Sequence, residues 1–191
     1  MATNAENLSA QESLAIITGM INEAKGHLQK NSFYYLLWGW TVMAAQLLMF
    51  LLYQLEYRHA YAAWLITIPA WIYTMIHAFN HRREGRARTH FDSISGWLWL
   101  SFSVIIFTLI FFGWKINYQL NPLILLVTAM PTAVSGVILR FQPLKLGGVF
   151  FWVAGVISFL LPMEFQPLAG AIGIIGGYLI PGYLLKQYKF E

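Results

Sequence analysis

Six apolar runs dominate this chain, at about Phe33 to Leu52, Ala60 to Phe79, Ile94 to Trp114, Pro122 to Leu139, Leu144 to Leu161 and Leu168 to Leu185. Each is close to the roughly 20 residues that an α-helix needs to cross the hydrocarbon core of a bilayer. In that medium only a helix or a closed barrel satisfies every backbone donor and acceptor. The connections are short and hold Pro, Asn, Gln or charge: Gln54 to His59, the loop Asn80 to Asp92, Lys115 to Asn121, Arg140 to Pro143, and Pro162 to Pro167. None has room for a soluble domain. Composition agrees, with 58% hydrophobic and 10% charged residues among 191, against about 45–50% and about 25% in a soluble domain. The expected fold is an all-α integral membrane protein.

Ahead of the first run lies a different kind of segment. Ser9-Ala10-Gln11-Glu12 reads as a capping box, in which the serine hydroxyl and the glutamate carboxylate satisfy free amides at a helix start. From there Ala10, Leu14, Ile17, Ile21, Ala24 and Leu28 recur at three- and four-residue spacing, with polar positions between them, the signature of an amphipathic helix. It is too short and too polar to span. Interfacial anchors carry rows of Lys and Arg on the polar face, whereas Lys25 and Lys30 are here balanced by Glu12 and Glu23. Docking on protein, through Leu14, Ile17, Ile21 and Leu28, is therefore favoured over lying in lipid. The chain divides into a segment 1–32 with an amphipathic helix at about 9–30, a six-span domain 33–185, and a tail 186–191. With no positively charged n-region in the first thirteen residues, the first span is expected to direct insertion itself.

Charge sets the expected orientation. Six spans that start inside place Lys25, Lys30, Arg82, Arg83, Arg86, Arg88, Arg140, Lys145, Lys186 and Lys189 on one side, leaving Arg58 and Lys115 on the other. Lys/Arg-rich short loops stay cytoplasmic, so both termini are expected in the cytoplasm. The basic loop with Arg82, Arg83, Arg86 and Arg88 is also able to attract anionic lipid headgroups. The net charge of +4 follows the span ends instead of one folded face, so nucleic acid is not an expected partner. Trp38, Trp40, Trp97 and Trp99 near the inner interface, and Trp64 and Trp114 near the outer, suit aromatic belts.

A repeat of three hairpins is suggested by glycine beside aromatics at the entry to odd spans and by one proline in each even span, Pro69, Pro131 and Pro181. Arranged around an axis along the membrane normal, those prolines would free backbone carbonyls to line a cavity. Coincidence is the competing reading, because Gly, Pro and Trp are all common in membrane helices.

Chemistry is sparse. No Asp, Glu, Lys or Arg falls well inside a span, which removes the usual markers of proton and ion pathways. Gln46 is the costliest polar group to leave unpaired in lipid, and reads either as a contact between helices or as a ligand contact. His77 and His81 share a helical face and are weak candidates for a metal or haem site, which needs further ligands; with no cysteine in the chain, no cofactor is expected. Gly173 and Gly177 form a Gly-x-x-x-Gly ridge for close helix contact, within the bundle or with a second copy.

Ala133-Val134-Ser135-Gly136 resembles the Gly-x-Ser-Gly nucleophile segment of rhomboid proteases. Ala133 replaces the first glycine and the sixth run has no histidine to activate Ser135, so that activity is not implied. The run Glu12 to Lys25, followed by Phe33-Tyr-Tyr-Leu-Leu-Trp-Gly-Trp40, resembles the opening of small multi-span bacterial membrane proteins with an N-terminal amphipathic helix. That resemblance implies a membrane class and a bacterial inner membrane, and brings no activity with it. The expected function is a non-enzymatic accessory or regulatory membrane protein with a protein partner or a second copy. A small transporter, channel or lipid-handling protein with a path between the Pro-containing helices is the alternative.

Overall fold

The computed structural model describes the backbone of residues 10–83 and 90–187, and side chains within 32–77 and 93–187. Among these residues every regular element is helical. The first, α1 (Ala10–Gln54), is a single helix of 45 residues, about 67 Å long at 1.5 Å per residue. It runs without a break through Lys30, Asn31 and Ser32, where the sequence changes from amphipathic to apolar. Nothing in those three residues forces a stop: each costs a few tenths of a kcal/mol in helix propensity, and α1 contains no proline. It does stop at Glu56, whose φ of 52° is left-handed. The Tyr57 N–H then donates back to Leu52 O at 2.9 Å, a closure that satisfies carbonyls the helix would otherwise leave bare.

The second apolar run divides into a tight 3₁₀ segment, Ala60–Ile66, and α2 (Thr67–Arg83) of 17 residues. Thr67 Oγ1 donates to Trp64 O at 2.7 Å across the junction, and Pro69 occupies the first turn of α2, where its missing N–H costs nothing. The rest follows as α3 (His90–Phe111), α4 (Leu120–Ile138), α5 (Gln142–Leu160), α6 (Gln166–Ile174) and α7 (Ile180–Gln187), the last two joined by a π-helical turn, Ile175–Leu179. Pro143 and Pro167 open α5 and α6. Among the described residues, five helices are long and apolar enough to cross a membrane: Ser32–Gln54, Ser93–Phe111, Leu120–Ile138, Gln142–Leu160 and Gln166–Gln187.

α1, α4, α5 and the α6–α7 unit form the packed bundle, and its neighbours run antiparallel. Gly136 approaches Lys145 at one end of the α4–α5 pair and Gly155 approaches Leu126 towards the other. Gly182 faces Leu36 while Gly170 faces Gln46, which lays α1 against α6–α7 in opposite directions. The Ser32 end of the α1 span, the turn at Arg140 and the end of α7 therefore lie at one end of the bundle. The centre holds Tyr35, Leu125, Leu144, Phe151, Ile174, Tyr178 and Leu185. Glycine is what brings these backbones so close: a Cβ on Gly148 of α5 would lie 2.6 Å from the Ala133 Cβ and 2.8 Å from Ala129 O of α4.

α2 and α3 flank this bundle. Trp71 meets Phe107 edge-on at 6.0 Å between them, and within the Ser93–Phe111 span no residue of the most apolar window is buried. Leu100, Val104, Phe107 and Phe111 stand more than half exposed. So much apolar surface is stable only against lipid or protein.

Candidate functional site

Buried polar side chains in this bundle gather at three levels. At the end away from Ser32, Gln46 Nε2 donates to Asn121 Oδ1 at 2.7 Å. Asn121 Nδ2 donates to the backbone O of Gln166, and Gln166 Nε2 donates to Gln119 Oε1 at 2.7 Å. This amide chain ties α1, α4 and α6 together at one depth. Gln46 reaches it because α6 carries Gly170 there: a Cβ at that position would lie 2.4 Å from Gln46 Nε2. Gln46 Oε1 is buried and has no protein partner. Amides neither ionise nor attack at ordinary pH, so the chain can hold helices together, at about 0.6 kcal/mol per bond in a bilayer, but cannot transfer protons as an acid or base.

Around the middle, the π-helical turn carries the buried Tyr178, whose ring meets Tyr35 at 5.5 Å and Phe151 at 4.8 Å. The Tyr178 hydroxyl is directed at Thr132 and that of Tyr35 at Ser135. Ser135 Oγ has no partner of good hydrogen-bond geometry, and neither has the buried Ser158 Oγ. Thr128 and Thr132 bond the carbonyls of Ile124 and Thr128, one turn back on their own helix. Such π turns often mark functional positions. Here the local cause is plain: Pro181, second residue of α7, has no N–H to return to Gly177 O, and that oxygen faces Gly147, where a Cβ would lie 2.7 Å from it.

At the Ser32 end, His77 of α2 lies against Phe33 at 5.9 Å and Tyr73 at 5.8 Å, and these two rings are themselves 5.9 Å apart, so the three close a triangle. The Tyr34 O–H is 2.8 Å from His77 Nδ1 and donates to it in the Nε2–H tautomer. This cluster pins α2 to α1. The side chain of His81, with Arg82, Arg83, Arg86 and Arg88, lies outside the described residues, as do those of Leu14, Ile17, Ile21 and Leu28. Among the described residues no group of three His, Cys, Asp or Glu could hold a metal.

The three prolines do not share an environment. Pro69 is exposed at the first turn of α2, Pro131 is buried inside α4, and Pro181 is buried behind the π turn. Gly173 and Gly177 lie against Ala154 and Phe151 of α5. The sequence reading missed Asn121, Gln166 and Gln119, all of them in or beside connections. Their signal was the recurrence of amide side chains at one end of successive apolar runs, a weak one.

Among the described residues the chain is all-helical, with five helices long and apolar enough to cross a membrane and a buried amide chain that joins three of its helices. Comparison with protein-family models, with curated proteins and with solved structures finds no match.

Proposed function

We propose that this chain is a non-enzymatic accessory or regulatory protein of a bacterial inner membrane, acting on a partner through its cytoplasmic N-terminal helix and basic loop. The observation that carries the reading is the continuity of α1 from the span into the amphipathic segment. An interfacial helix must turn to lie along the membrane plane, whereas residues 10–31 extend a helix already seated in the bundle. The ten-to-two split of Lys and Arg supports six crossings with both termini inside, the second crossing being made by the 3₁₀ segment and α2 together. Arg82, Arg83, Arg86 and Arg88 add attraction to anionic headgroups.

The transporter alternative has less to stand on. Pro69 is exposed whereas Pro131 and Pro181 are buried, and Phe151 and Leu144, both 0% exposed, fill space between the helices that a central path would need. The test is gentle extraction from native membranes followed by native mass spectrometry. A bound protein of defined mass, lost when Ile17 and Ile21 are both changed to Asp, is the expected result. A bare chain from native membranes, with transport activity in liposomes, would overturn the reading.

A further inference from the structure

The last turns of α3 carry a groove on their outward surface. It measures about 540 Å³ and is lined by Val104, Phe107, Thr108, Ile110, Phe111 and Phe112. Val104, Phe107, Ile110 and Phe111 are each more than half exposed. The one side-chain hydroxyl of the lining, Thr108 Oγ1, already donates to Val104 O at 2.8 Å, so the groove offers a guest apolar contact and no free side-chain donor. Its place in the bundle is fixed at both ends of α3. Trp99 meets Tyr35 of α1 at 6.4 Å towards the Ser32 end, and beyond Phe111 a short 3₁₀ turn, Gly113–Ile116, leads into α4 close to Asn121, the partner of Gln46. The groove therefore lies in the leaflet at the Gln46 end.

Depth and charge both point to what it holds. From Val104 to Phe112 the chain rises about 12 Å, close to the roughly 15 Å of hydrocarbon in one leaflet. A cation stands at the end of that run. The Lys115 N–H donates to Phe112 O at 2.8 Å, and the Tyr118 N–H donates back to Gly113 O at 2.8 Å. Asn117 and Tyr118 make this reversal with left-handed φ of 51° and 57°, which keeps Lys115 beside the last lining residue. Its Nζ lies 4.2 Å from the centre of the exposed Trp114 ring, and among the described residues it makes no ion pair. Tryptophan belongs at the headgroup level. An apolar groove one leaflet deep, with an unneutralised ammonium at headgroup level, is the complement of a phospholipid: acyl chain within, phosphate above. A helix from a second copy matches it less well, because at about 10–12 Å across a single turn displaces about 420–610 Å³.

We infer that this groove binds one phospholipid of net negative charge from the leaflet at the Gln46 end, with an acyl chain against Val104, Phe107 and Phe111 and the phosphate on Lys115. The inference needs only that α3 crosses a membrane, and it is independent of the accessory reading. The test places the full chain in liposomes with phosphatidylglycerol or phosphatidylcholine that carries a photoreactive diazirine within one acyl chain, and maps the adducts by mass spectrometry. The control is Val156, Ile157 and Leu160 of α5, exposed and apolar at the same end of the bundle. Phosphatidylglycerol should label residues 104–112 at least about fivefold above the control and about fivefold above phosphatidylcholine, the attraction of one lysine at a membrane surface. Lys115→Gln should abolish the preference between the two lipids. Native mass spectrometry should retain one phosphatidylglycerol on the parent chain and none on Thr108→Trp, whose indole fills the groove. Equal labelling of α3 and α5, which means surrounding lipid only, would overturn the inference. So would a headgroup preference that survives Lys115→Gln, or a groove shielded from both lipids in a chain that weighs as a dimer.

Discussion

The closest helix pair, α4 with α5, offers a sharp test of what holds the bundle. Alanine at Gly148 adds one Cβ at 2.6 Å from the Ala133 Cβ and 2.8 Å from Ala129 O and Ala133 N, so α4 must withdraw by up to about 0.8 Å to restore ordinary contact at 3.4 Å. Two of those three atoms are backbone and cannot rotate away. Overpacking of this kind costs about 1–3 kcal/mol, while replacing glycine inside a helix returns about 0.5–1 kcal/mol. The net is a loss of up to about 2.5 kcal/mol. Gly96 of α3 is the control, because a Cβ there meets nothing within 4 Å, and Gly96→Ala should gain about 0.5–1 kcal/mol. Both variants can be unfolded in mild detergent, following tryptophan emission. Gly148→Ala should melt below the parent, by up to about 10 °C, and Gly96→Ala at or above it. Equal melting of the two would refute the close α4–α5 approach and the core built on it.

Three further outcomes follow from the same geometry. In a double-mutant cycle of Gln46→Leu and Asn121→Leu, the coupling should be about 0.5–1.5 kcal/mol, read by unfolding in mixed micelles; additive effects would mean that the amide pair is not formed. Tyr34→Phe removes the hydroxyl from His77 Nδ1 and should cost about 0.5–1.5 kcal/mol, whereas His59→Ala, at an exposed pair with Tyr61, should cost less than about 0.5 kcal/mol. A fluorescent protein fused after Gln187 should fluoresce, and alkaline phosphatase inserted after Arg58 should be active; the reverse pattern would invert the orientation drawn from charge.

The parts of this fold that were legible in the sequence are those governed by the solvent. Apolar length marked the candidate spans, and among the described residues the five helices long enough to cross a membrane fall on five of the six runs. The second run hid its 3₁₀ entry because hydropathy is blind to hydrogen-bond register, although Pro69 pointed to a first turn. Lys30, Asn31 and Ser32 looked like an end and are not one: polar side chains by themselves are tolerated inside a helix, and no proline stands there to stop it. Gln46 stood out in the sequence as a group needing a partner, yet Asn121 could not be chosen as that partner across 75 positions. Tertiary approach decided it, through the missing Cβ of Gly170. The π turn was legible only as its ingredients, Gly176, Gly177 and Pro181.

A helix with no joint is also a rigid lever. Pivoted at Ser32, α1 has an arm of about 33 Å to Ala10 and one of about 21 Å to Gln46. A tilt of about 10° that carries the outer tip about 6 Å carries Gln46 about 4 Å the other way, farther than the 2.7 Å that separates it from Asn121. A load on the tip of α1 would thus be transmitted to the amide chain that joins α1, α4 and α6, at the far end of the bundle from that tip.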